Sequence, residues 1–258
     1  MKPLGELDRN GVRAVLLDID DTLTTDGKLT ADAYTALARL QRARIRVVPV
    51  TGRPAGWCDH IARMWPVDAV VGENGAFYFF YGERKLHKRF HESVPSRTEL
   101  RARYEAIGTR ILAAVPGCAL ASDQPYRETD LAIDYCEDVA ALPLEAAQRI
   151  AELMRQEGLT AKVSSIHVNG WFGDYDKLAT TRLLFAERFG RDLDRNNREV
   201  VFAGDSPNDA PMFAFFERSV AVANVRRFEG LLANPPKYVT RAASGNGFVE
   251  LVDHLLGR

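Results

Sequence analysis

Val15-Leu16-Leu17-Asp18-Ile19-Asp20-Asp21-Thr22-Leu23 is the stretch of sequence that decides the fold. The apolar run from Val12 to Leu17 predicts a buried strand of a parallel sheet, because such strands are covered on both faces. Asp18 and Asp20 follow at the carboxyl end of that strand, where open α/β sheets bind their ligands. An extended backbone points both carboxylates the same way, so their repulsion calls for a cation or for separate roles. The alternative to a ligand-binding site is a polar turn without function. The rest of the sequence decides between these two interpretations.

Strands and helices alternate after this first strand. A helix is predicted over residues 30–43, with Thr30 as its N-cap, and a second apolar strand over 45–50. The next helix starts at Pro54 and ends before Pro66, and a third strand covers 67–71. This order predicts an α/β fold with a parallel sheet and right-handed crossovers.

The pattern changes after residue 76 and returns at Asp176. In between we predict a hairpin (77–81 and 85–90), a helix (100–115), strands (118–121 and 131–136), a helix (144–158) and a strand (160–168). Beyond it we predict a helix (178–189), a strand (199–203), a helix from 209, a strand (220–222), a helix around Phe228, Leu231 and Leu232, and a closing helix from Phe248. The sequence therefore predicts a core of residues 1–84 and 176–258, interrupted by an inserted α+β cap domain of residues 85–175.

Composition limits the classes of protein that fit. The 258 residues are 46% hydrophobic and 27% charged, as in soluble globular proteins, and the formal net charge is -1. This balance gives no reason to expect nucleic acid or an anionic membrane as partner. Cys58, Cys118 and Cys136 are odd in number and widely spaced, which argues against a disulfide framework. No apolar signal region or long uncharged span is evident, so a cytoplasmic location is expected.

Polar segments follow several of the predicted strands or lie where they can fold back onto them. These segments are Asp18-x-Asp20, Thr51-Gly52-Arg53, Lys177 and Gly204-Asp205-x-x-Asn208-Asp209. Each of them alone is weak evidence, because a turn or a lone lysine is usually structural. Their joint occurrence in this order predicts a single site at the carboxyl edge of the sheet.

The residue types in this set fit phosphoryl transfer to a carboxylate. Asp18 and Asp205 offer the hard oxygen ligands that Mg²⁺ prefers, and Lys177 adds a second positive charge that screens an anionic ester. The Thr51 hydroxyl can donate to a phosphoryl oxygen. Asp18 is then available as the nucleophile, and Asp20 can protonate the leaving alkoxide and activate the water that cleaves the intermediate. The expected partner is a small phosphorylated substrate.

The set Asp18-x-Asp20-x-Thr22, Thr51, Lys177 and Gly204-Asp205-Ser206-x-Asn208-Asp209 resembles the four motifs of the haloacid dehalogenase superfamily. The resemblance implies a Rossmann-like core and a Mg²⁺-dependent phosphatase. It also implies that Asp18, Asp205 and the Asp20 main-chain carbonyl hold the metal, with Asn208 and Asp209 in support. The place and outline of the insert are similar to the caps of subclass IIB, which includes sugar-phosphate phosphatases and phosphomannomutases.

Substrate choice is expected to lie with residues near the motif-bearing turns. The candidates are Arg53, Asn74, Arg127, Glu128, His167, Asn169 and Trp171. A sugar phosphate is the expected substrate, with a phosphosugar mutase as the enzymatic alternative. A third hypothesis is a non-catalytic ligand-sensing protein with the same fold. The complete set of acidic and basic residues argues against it, because buried like charges without a metal role are costly.

Overall fold

The structure is a computed structural model that describes residues 1–228, 230 and 232–257. Its strands are β1 (Lys2–Pro3), β2 (Ala14–Leu17), β3 (Arg46–Pro49), β4 (Val70–Gly72), β5 (Phe77–Gly82), β6 (Lys85–Phe90), β7 (Ala119–Leu120), β8 (Asp130–Asp134), β9 (Thr160–Val163), β10 (His167–Trp171), β11 (Val200–Gly204), β12 (Arg218–Ala221) and β13 (Tyr238–Val239). Its α-helices are α1 (Ala31–Arg42), α2 (Ala55–Met64), α3 (Arg97–Ala114), α4 (Leu144–Gln156), α5 (Lys177–Phe189), α6 (Ala210–Phe215) and α7 (Ser244–Leu256).

A six-stranded parallel sheet forms the centre of the molecule. Its strand order is β1-β13-β12-β11-β2-β3, so the first predicted strand, β2, lies between β11 and β3. Because all six strands run the same way, the loops after β2, β3 and β11 meet at one edge of the sheet. The predicted α/β class with a parallel-sheet core is confirmed.

The alternation of side chains along β2 supplies both layers of the core. Val15 and Leu17 are fully buried in a cluster that also contains Leu37 of α1 and Phe248 of α7. Leu16 points to the other face, into a second cluster built from residues of α5, α6 and the neighbouring strands. A strand covered on both faces is continuously apolar, which is what the sequence of β2 shows.

The third predicted strand has a different partner from the one expected. The strand β4 pairs antiparallel with β5, and β5 pairs with β6, which gives a separate three-stranded sheet. A single parallel bridge from Val50 to Val71 links this sheet to the end of β3. Because β4 pairs with β5 of the hairpin, it belongs to a separate sheet and not to the main parallel sheet. The alternation of strands and helices in the sequence did not indicate this pairing.

A four-stranded antiparallel sheet, in the order β7-β8-β10-β9, packs with α3 and α4. The single strand predicted over 160–168 is wrong, because the chain turns at Ser164 and Ser165 between β9 and β10. The Ser164 hydroxyl accepts from the main-chain N–H of His167 at 3.0 Å, and Ser164 N donates to the His167 carbonyl. Serine side chains stabilise turns in this way, so the serine pair was a usable signal.

The carboxyl-terminal part differs from the prediction in several elements, including the strand β13, which was not predicted. The closing helix begins at Ser244 rather than at Phe248. Where a helix was predicted around Phe228, Leu231 and Leu232, a 3-10 helix spans Ala223–Phe228, and Leu231 lies outside the described residues. Cys58, Cys118 and Cys136 are free thiols. Within the described ranges, no helix has both the length and the apolar character needed to cross a bilayer.

Candidate active site

Lys177 lies at the centre of a charged cluster at the carboxyl edge of the main sheet. Its Nζ donates to Asp18 Oδ1 at 2.7 Å and to Asp209 Oδ1 at 2.8 Å, and all three side chains are almost completely buried. Burial alone would lower the pKa of Lys177, but the two carboxylates raise it, so the ammonium stays charged. The sequence motifs from β2, from the start of α5 and from the loop after β11 therefore meet, as predicted.

The position of Lys177 is fixed by the start of α5. The Asp176 side chain caps that helix by accepting from Ala179 N at 2.7 Å, and the Thr180 hydroxyl donates to the carbonyl of Gly75. Gly75 has φ +106°, and a Cβ there would lie 2.0 Å from the Asp176 carbonyl oxygen. Only glycine allows the two backbones to approach so closely, and this contact holds the first turn of α5 against the loop after β4.

Asp18, Asp205 and Asp209 form a compact group of buried carboxylates. One oxygen from each lies within 4.8 Å of the others. Burial and the neighbouring carboxylates raise the pKa of Asp205 well above its usual range. Burial also raises the pKa of Asp18, to about 7, against the opposing effect of Lys177. Lys177 pairs with Asp18 and Asp209, and Arg227 reaches Asp205 at 3.4 Å while it also pairs with Asp21. The buried carboxylates therefore outnumber the cations beside them, which is an environment that fits a bound cation.

The carboxylates of Asp209 and Asp205 accept hydrogen bonds from different donors. Asp209 Oδ1 accepts from Lys177, and its Oδ2 accepts from Asp205 N at 3.1 Å. A Cβ on Gly204 would lie 2.3 Å from that Oδ2, so glycine at this position allows the close approach. Asp209 thus organises the loop after β11, whereas Asp205 accepts from side chains of other segments, at 3.0 Å from Asn224 Nδ2 and at 3.4 Å from both the Thr22 hydroxyl and Arg227 Nη2.

Thr51 lies in the turn after β3, next to Gly52 and Arg53, which line the cavity described below. Its Oγ1 accepts from Arg53 N at 3.0 Å, which leaves the hydroxyl proton free to be donated elsewhere. Asn74 lies against this turn, because its Nδ2 is 3.1 Å from the place that a Cβ on Gly52 would take. In the described part of the chain, Asn74 Nδ2 is buried and has no hydrogen-bond partner.

Arg53 connects Asp20 to the region of the four-stranded sheet. Its Nε donates to both oxygens of Asp20, at 2.9 and 3.0 Å, and its Nη2 donates to Asp20 Oδ1 at 2.8 Å. The same guanidinium contacts Asp123 at 3.4 Å and Glu137 at 2.5 Å. The side chain of Arg53 is 4% exposed and also stacks on Trp57. One buried cation therefore serves three carboxylates.

A small cavity lies between these residues, with a volume of about 10 Å³. Its walls are formed by Asp18, Asp20, Gly52, Arg53, Ser164, Ile166, His167, Asn169 and Asn208. Among the residues expected to contact substrate, Arg53, His167 and Asn169 line the cavity. Asn74, Arg127, Glu128 and Trp171 are not part of its walls. The cavity has room for about one water molecule.

Arg127 and Glu73 join the cap segment around residue 128 to the core. Arg127 donates to the carbonyl of Gly52 at 2.8 Å and forms ion pairs with Asp123 and Asp130, at 2.9 and 3.0 Å. The Glu73 carboxylate accepts from Ala55 N in the core. It also accepts from Glu128 N and from the main-chain N–H and hydroxyl of Thr129 in the cap segment. Burial and the Asp130 carboxylate raise the pKa of Glu73 to about 8.

Several residues of the site were missed by the sequence analysis. Asn224 follows β12 closely and donates to Asp205, so the rule about carboxyl ends of strands would have identified it. Arg227 forms ion pairs with Asp21 and Asp205 at 2.8 and 3.4 Å. Glu137 carried no such signal, because it comes from a turn of the inserted sheet whose position over the core is a tertiary property.

The fold is a Rossmann-like parallel-sheet core with an inserted α+β unit, and buried carboxylates and a buried lysine lie together at the carboxyl edge of its sheet. Residues 15–95 and 181–247, together more than half of the chain, match the model of the haloacid dehalogenase-like hydrolases. The chain belongs to this family and is a phosphatase, a phosphoric monoester hydrolase.

Known proteins resemble the chain over nearly its whole length. It is 30% identical to a phosphoglycolate phosphatase of Pyrobaculum neutrophilum, covering 95% of this chain and 96% of that protein. A structure of Thermoplasma acidophilum 0175 superposes with a TM-score of 0.69 at 17% identity, covering 95% and 98% of the two chains. A subclass IIB sugar phosphatase superposes with a TM-score of 0.62 at 14% identity, covering 94% and 98%. These two structures are similar to this chain in fold.

Proposed function

We propose that the protein is a Mg²⁺-dependent phosphatase that hydrolyses a small phosphorylated metabolite, most simply a sugar phosphate, through an aspartyl phosphate on Asp18. The observation that carries the proposal is the contact of Lys177 with both Asp18 and Asp209, beside the carboxylate of Asp205. Lys177 neutralises part of the charge that would otherwise repel an anionic ester, and Asp18, which Lys177 contacts, is one of the two carboxylates that line the cavity.

Mg²⁺ would be held by Asp18, Asp205 and the main-chain carbonyl of Asp20, with Asn208 and Asp209 in support. The supporting role of Asp209 follows from its hydrogen bonds, since Lys177 and the main chain already occupy its two oxygens. Bound there, the metal would supply positive charge for the phosphoryl oxygens. The excess of buried carboxylates over Lys177 supports this assignment.

The residues of the chain then divide the reaction between them. Thr51 and Lys177 bind phosphoryl oxygens, and Asp18 attacks phosphorus. Asp20 protonates the oxygen of the leaving group, then takes a proton from the water that hydrolyses the acyl phosphate. Asp20 and Asp18 both line the cavity, so the two carboxylates reach the same reacting centre.

The inserted unit, which we place at residues 85–175, acts as a cap that opens for substrate entry. A cavity of about 10 Å³ is far too small for a phosphorylated metabolite, so the wall formed by Ser164, Ile166 and His167 has to move away from the core. Closing the cap over bound substrate would exclude water and bring the leaving group against these residues. A cytoplasmic location fits a small soluble metabolite as substrate.

The test is phosphate release from p-nitrophenyl phosphate and from a panel of phosphorylated sugars and acids, with Mg²⁺ and with EDTA. We expect release that depends on Mg²⁺ and is highest on a sugar phosphate. Absence of release under all conditions would overturn the phosphatase proposal. Strong activation by a sugar bisphosphate with little free phosphate would favour a mutase instead. The panel includes 2-phosphoglycolate, because the curated relatives are named for that substrate.

A further inference from the structure

Glu137 reaches Arg53 and His167, two residues that form the cavity wall. Its Oε1 accepts from Arg53 Nη2 at 2.5 Å, and its Oε2 lies 3.2 Å from Arg53 Nη1 and 2.8 Å from His167 Nε2. Glu137 itself is not part of the wall. It therefore acts on the cavity through these two side chains.

The turn that carries Glu137 is rigidly held. The buried carboxylate of Asp134 accepts from three successive main-chain N–H groups, those of Cys136, Glu137 and Asp138, at 2.8 to 2.9 Å. Partial burial opposes ionisation of Glu137, but the contacts with His167 and Arg53 outweigh it and lower its pKa to about 2. The carboxylate is thus charged at any ordinary working pH and is fixed in place.

The charges near the leaving-group side of the cavity are already paired. Arg53 contacts three carboxylates, those of Asp20, Asp123 and Glu137. Arg127 contacts two, Asp123 and Asp130, and does not line the cavity. The other walls on the cap side, Ser164, Ile166 and Asn169, are uncharged. Over the ranges that the structure describes, this wall offers no unpaired arginine or lysine to a second anionic group of the substrate.

We propose that Glu137 sets the substrate class of this site: by neutralising Arg53 and lying against His167 Nε2, it favours phosphate esters with an uncharged, hydroxyl-bearing leaving group over esters whose leaving group carries a carboxylate. The inference rests on the proposed phosphatase function and narrows it. Glu137 is a positioning residue that acts by charge. A carboxylate on the leaving group would meet the charge of Glu137 behind Arg53, whereas a hydroxyl would meet no such repulsion.

A matched pair of substrates tests this inference. 2-Phosphoglycolate and 2-hydroxyethyl phosphate have the same length and differ by a carboxylate in place of a hydroxymethyl group. The ratio of their kcat/KM values is measured for the wild type, for Glu137→Gln, which keeps the shape and one acceptor, and for Glu137→Ala. We expect the ratio to shift toward 2-phosphoglycolate by about 10–100-fold, the range of one charge-assisted hydrogen bond gained by Arg53.

The control variant is Glu187→Gln. Glu187 holds Tyr78 and Arg89 on the outer side of the core and should leave the ratio unchanged. A ratio that is unchanged or moves toward 2-hydroxyethyl phosphate in both Glu137 variants would overturn the inference. A general loss of cap packing would lower both rates without raising the ratio, so a rise separates a charge effect from a structural one.

A binding measurement keeps the inference independent of turnover. In the Asp18→Asn background, calorimetric titration compares the affinities for the same two compounds with Glu137 present and with Glu137→Gln. We expect Glu137→Gln to tighten 2-phosphoglycolate about tenfold or more relative to 2-hydroxyethyl phosphate. Equal relative affinities would overturn the inference. Failure of the proposed function would give a different result: the wild type would release no phosphate from p-nitrophenyl phosphate in a Mg²⁺-dependent way.

Discussion

Lys177 Nζ donates to Asp18 Oδ1 at 2.7 Å across 159 residues of sequence, and this contact joins the loop after β2 to the first turn of α5. The ion pair is almost completely buried, and Asp209 holds the other side of the ammonium. Because Lys177 keeps an anionic partner if Asp18 is neutralised, the charge of Asp18 can be removed without leaving the lysine unpaired.

Asp18→Asn is therefore expected to abolish turnover while the protein stays folded. The amide is nearly isosteric with the carboxylate and can still accept from Lys177, but it cannot form an acyl phosphate. Phosphate release and the thermal unfolding midpoint are measured together. Asp32→Asn, at an exposed carboxylate in the first turn of α1, serves as the control. Turnover close to that of the wild type in Asp18→Asn would remove Asp18 from the role of nucleophile.

Asp20→Asn is expected to slow the reaction by about 10²–10⁴-fold, the usual contribution of acid–base assistance. The loss in the first step should be greater for phenyl phosphate than for p-nitrophenyl phosphate, since nitrophenolate leaves readily without a proton. Burst kinetics on both esters separate formation of the intermediate from its hydrolysis. Equal losses of the first step on the two esters would contradict the assignment of Asp20 as the acid.

Asp205→Ala is expected to weaken Mg²⁺ binding more than Asp209→Ala does. Asp209 already accepts from the buried ammonium of Lys177 and from the main chain of its own loop, whereas Asp205 accepts from the side chains of Thr22, Asn224 and Arg227. Isothermal titration with MgCl₂ measures the affinity of each variant. We expect Asp209→Ala to show the larger fall in thermal stability, because Lys177 then loses a buried partner. Wild-type Mg²⁺ affinity in Asp205→Ala would refute the metal assignment.

The sequence was sufficient to predict the parts of the fold that local pattern controls. The continuously apolar stretch of β2 and the polar turns after β2, β3 and β11 predicted the parallel core and the meeting of Asp18, Lys177 and Asp205. These predictions succeed because the carboxyl ends of parallel strands share one edge.

The contacts between the inserted unit and the core could not be predicted from local sequence patterns. Arg127 was expected to contact substrate, yet its donors go to Gly52, Asp123 and Asp130, and its side chain is 1% exposed. Glu137 was not recognised as a candidate at all. Both positions follow from the packing of the inserted sheet against the core, which leaves no periodic signal in either segment. Sequence spacing therefore predicts sites within a sheet better than sites between sheets.

Arg127→Ala is accordingly expected to destabilise the protein by about 3–5 kcal/mol, because Asp130 would be left buried without its cation and Asp123 would keep the longer, 3.4 Å contact with Arg53. His167→Ala and Asn169→Ala, which remove parts of the cavity wall, should instead change kcat/KM among sugar phosphates by different factors. A lost hydrogen bond to substrate is worth about 1–3 kcal/mol, enough to reorder the panel.

Denaturant unfolding and a substrate panel that includes p-nitrophenyl phosphate separate these two effects. The aryl ester offers the cap few hydrogen-bond partners and should lose the least in His167→Ala and Asn169→Ala. Arg101→Ala, at an exposed residue of α3, is the control for stability. Uniform losses on every substrate in the His167 and Asn169 variants would mean that these side chains support the fold or cap closure. A fully stable Arg127→Ala variant would refute the structural role of Arg127.

We expect the contribution of Glu73 to the free energy of unfolding to fall as the pH rises toward alkaline values. Burial and Asp130 raise its pKa from 4.5 in the ordinary carboxyl to about 8 in the folded protein. Between these two values the folded state holds a proton that the unfolded chain has released, so raising the pH lowers the free energy of unfolding. The contribution of the protonated carboxyl is thus fully present below about pH 4.5 and is lost as the pH passes about 8.

The measurement is the free energy of unfolding of the wild type minus that of Glu73→Gln, across the same pH range. Taking the difference removes the titration of the other carboxyl groups, and Glu6→Gln, at an exposed carboxyl near the N-terminus, is the matched control substitution. We expect the Glu73 difference to decline steadily with pH. A flat difference would mean that the N–H donors of Ala55, Glu128 and Thr129 keep the carboxylate ionised throughout. In that case Glu73 would act as a permanent anionic anchor for the segment around residue 128.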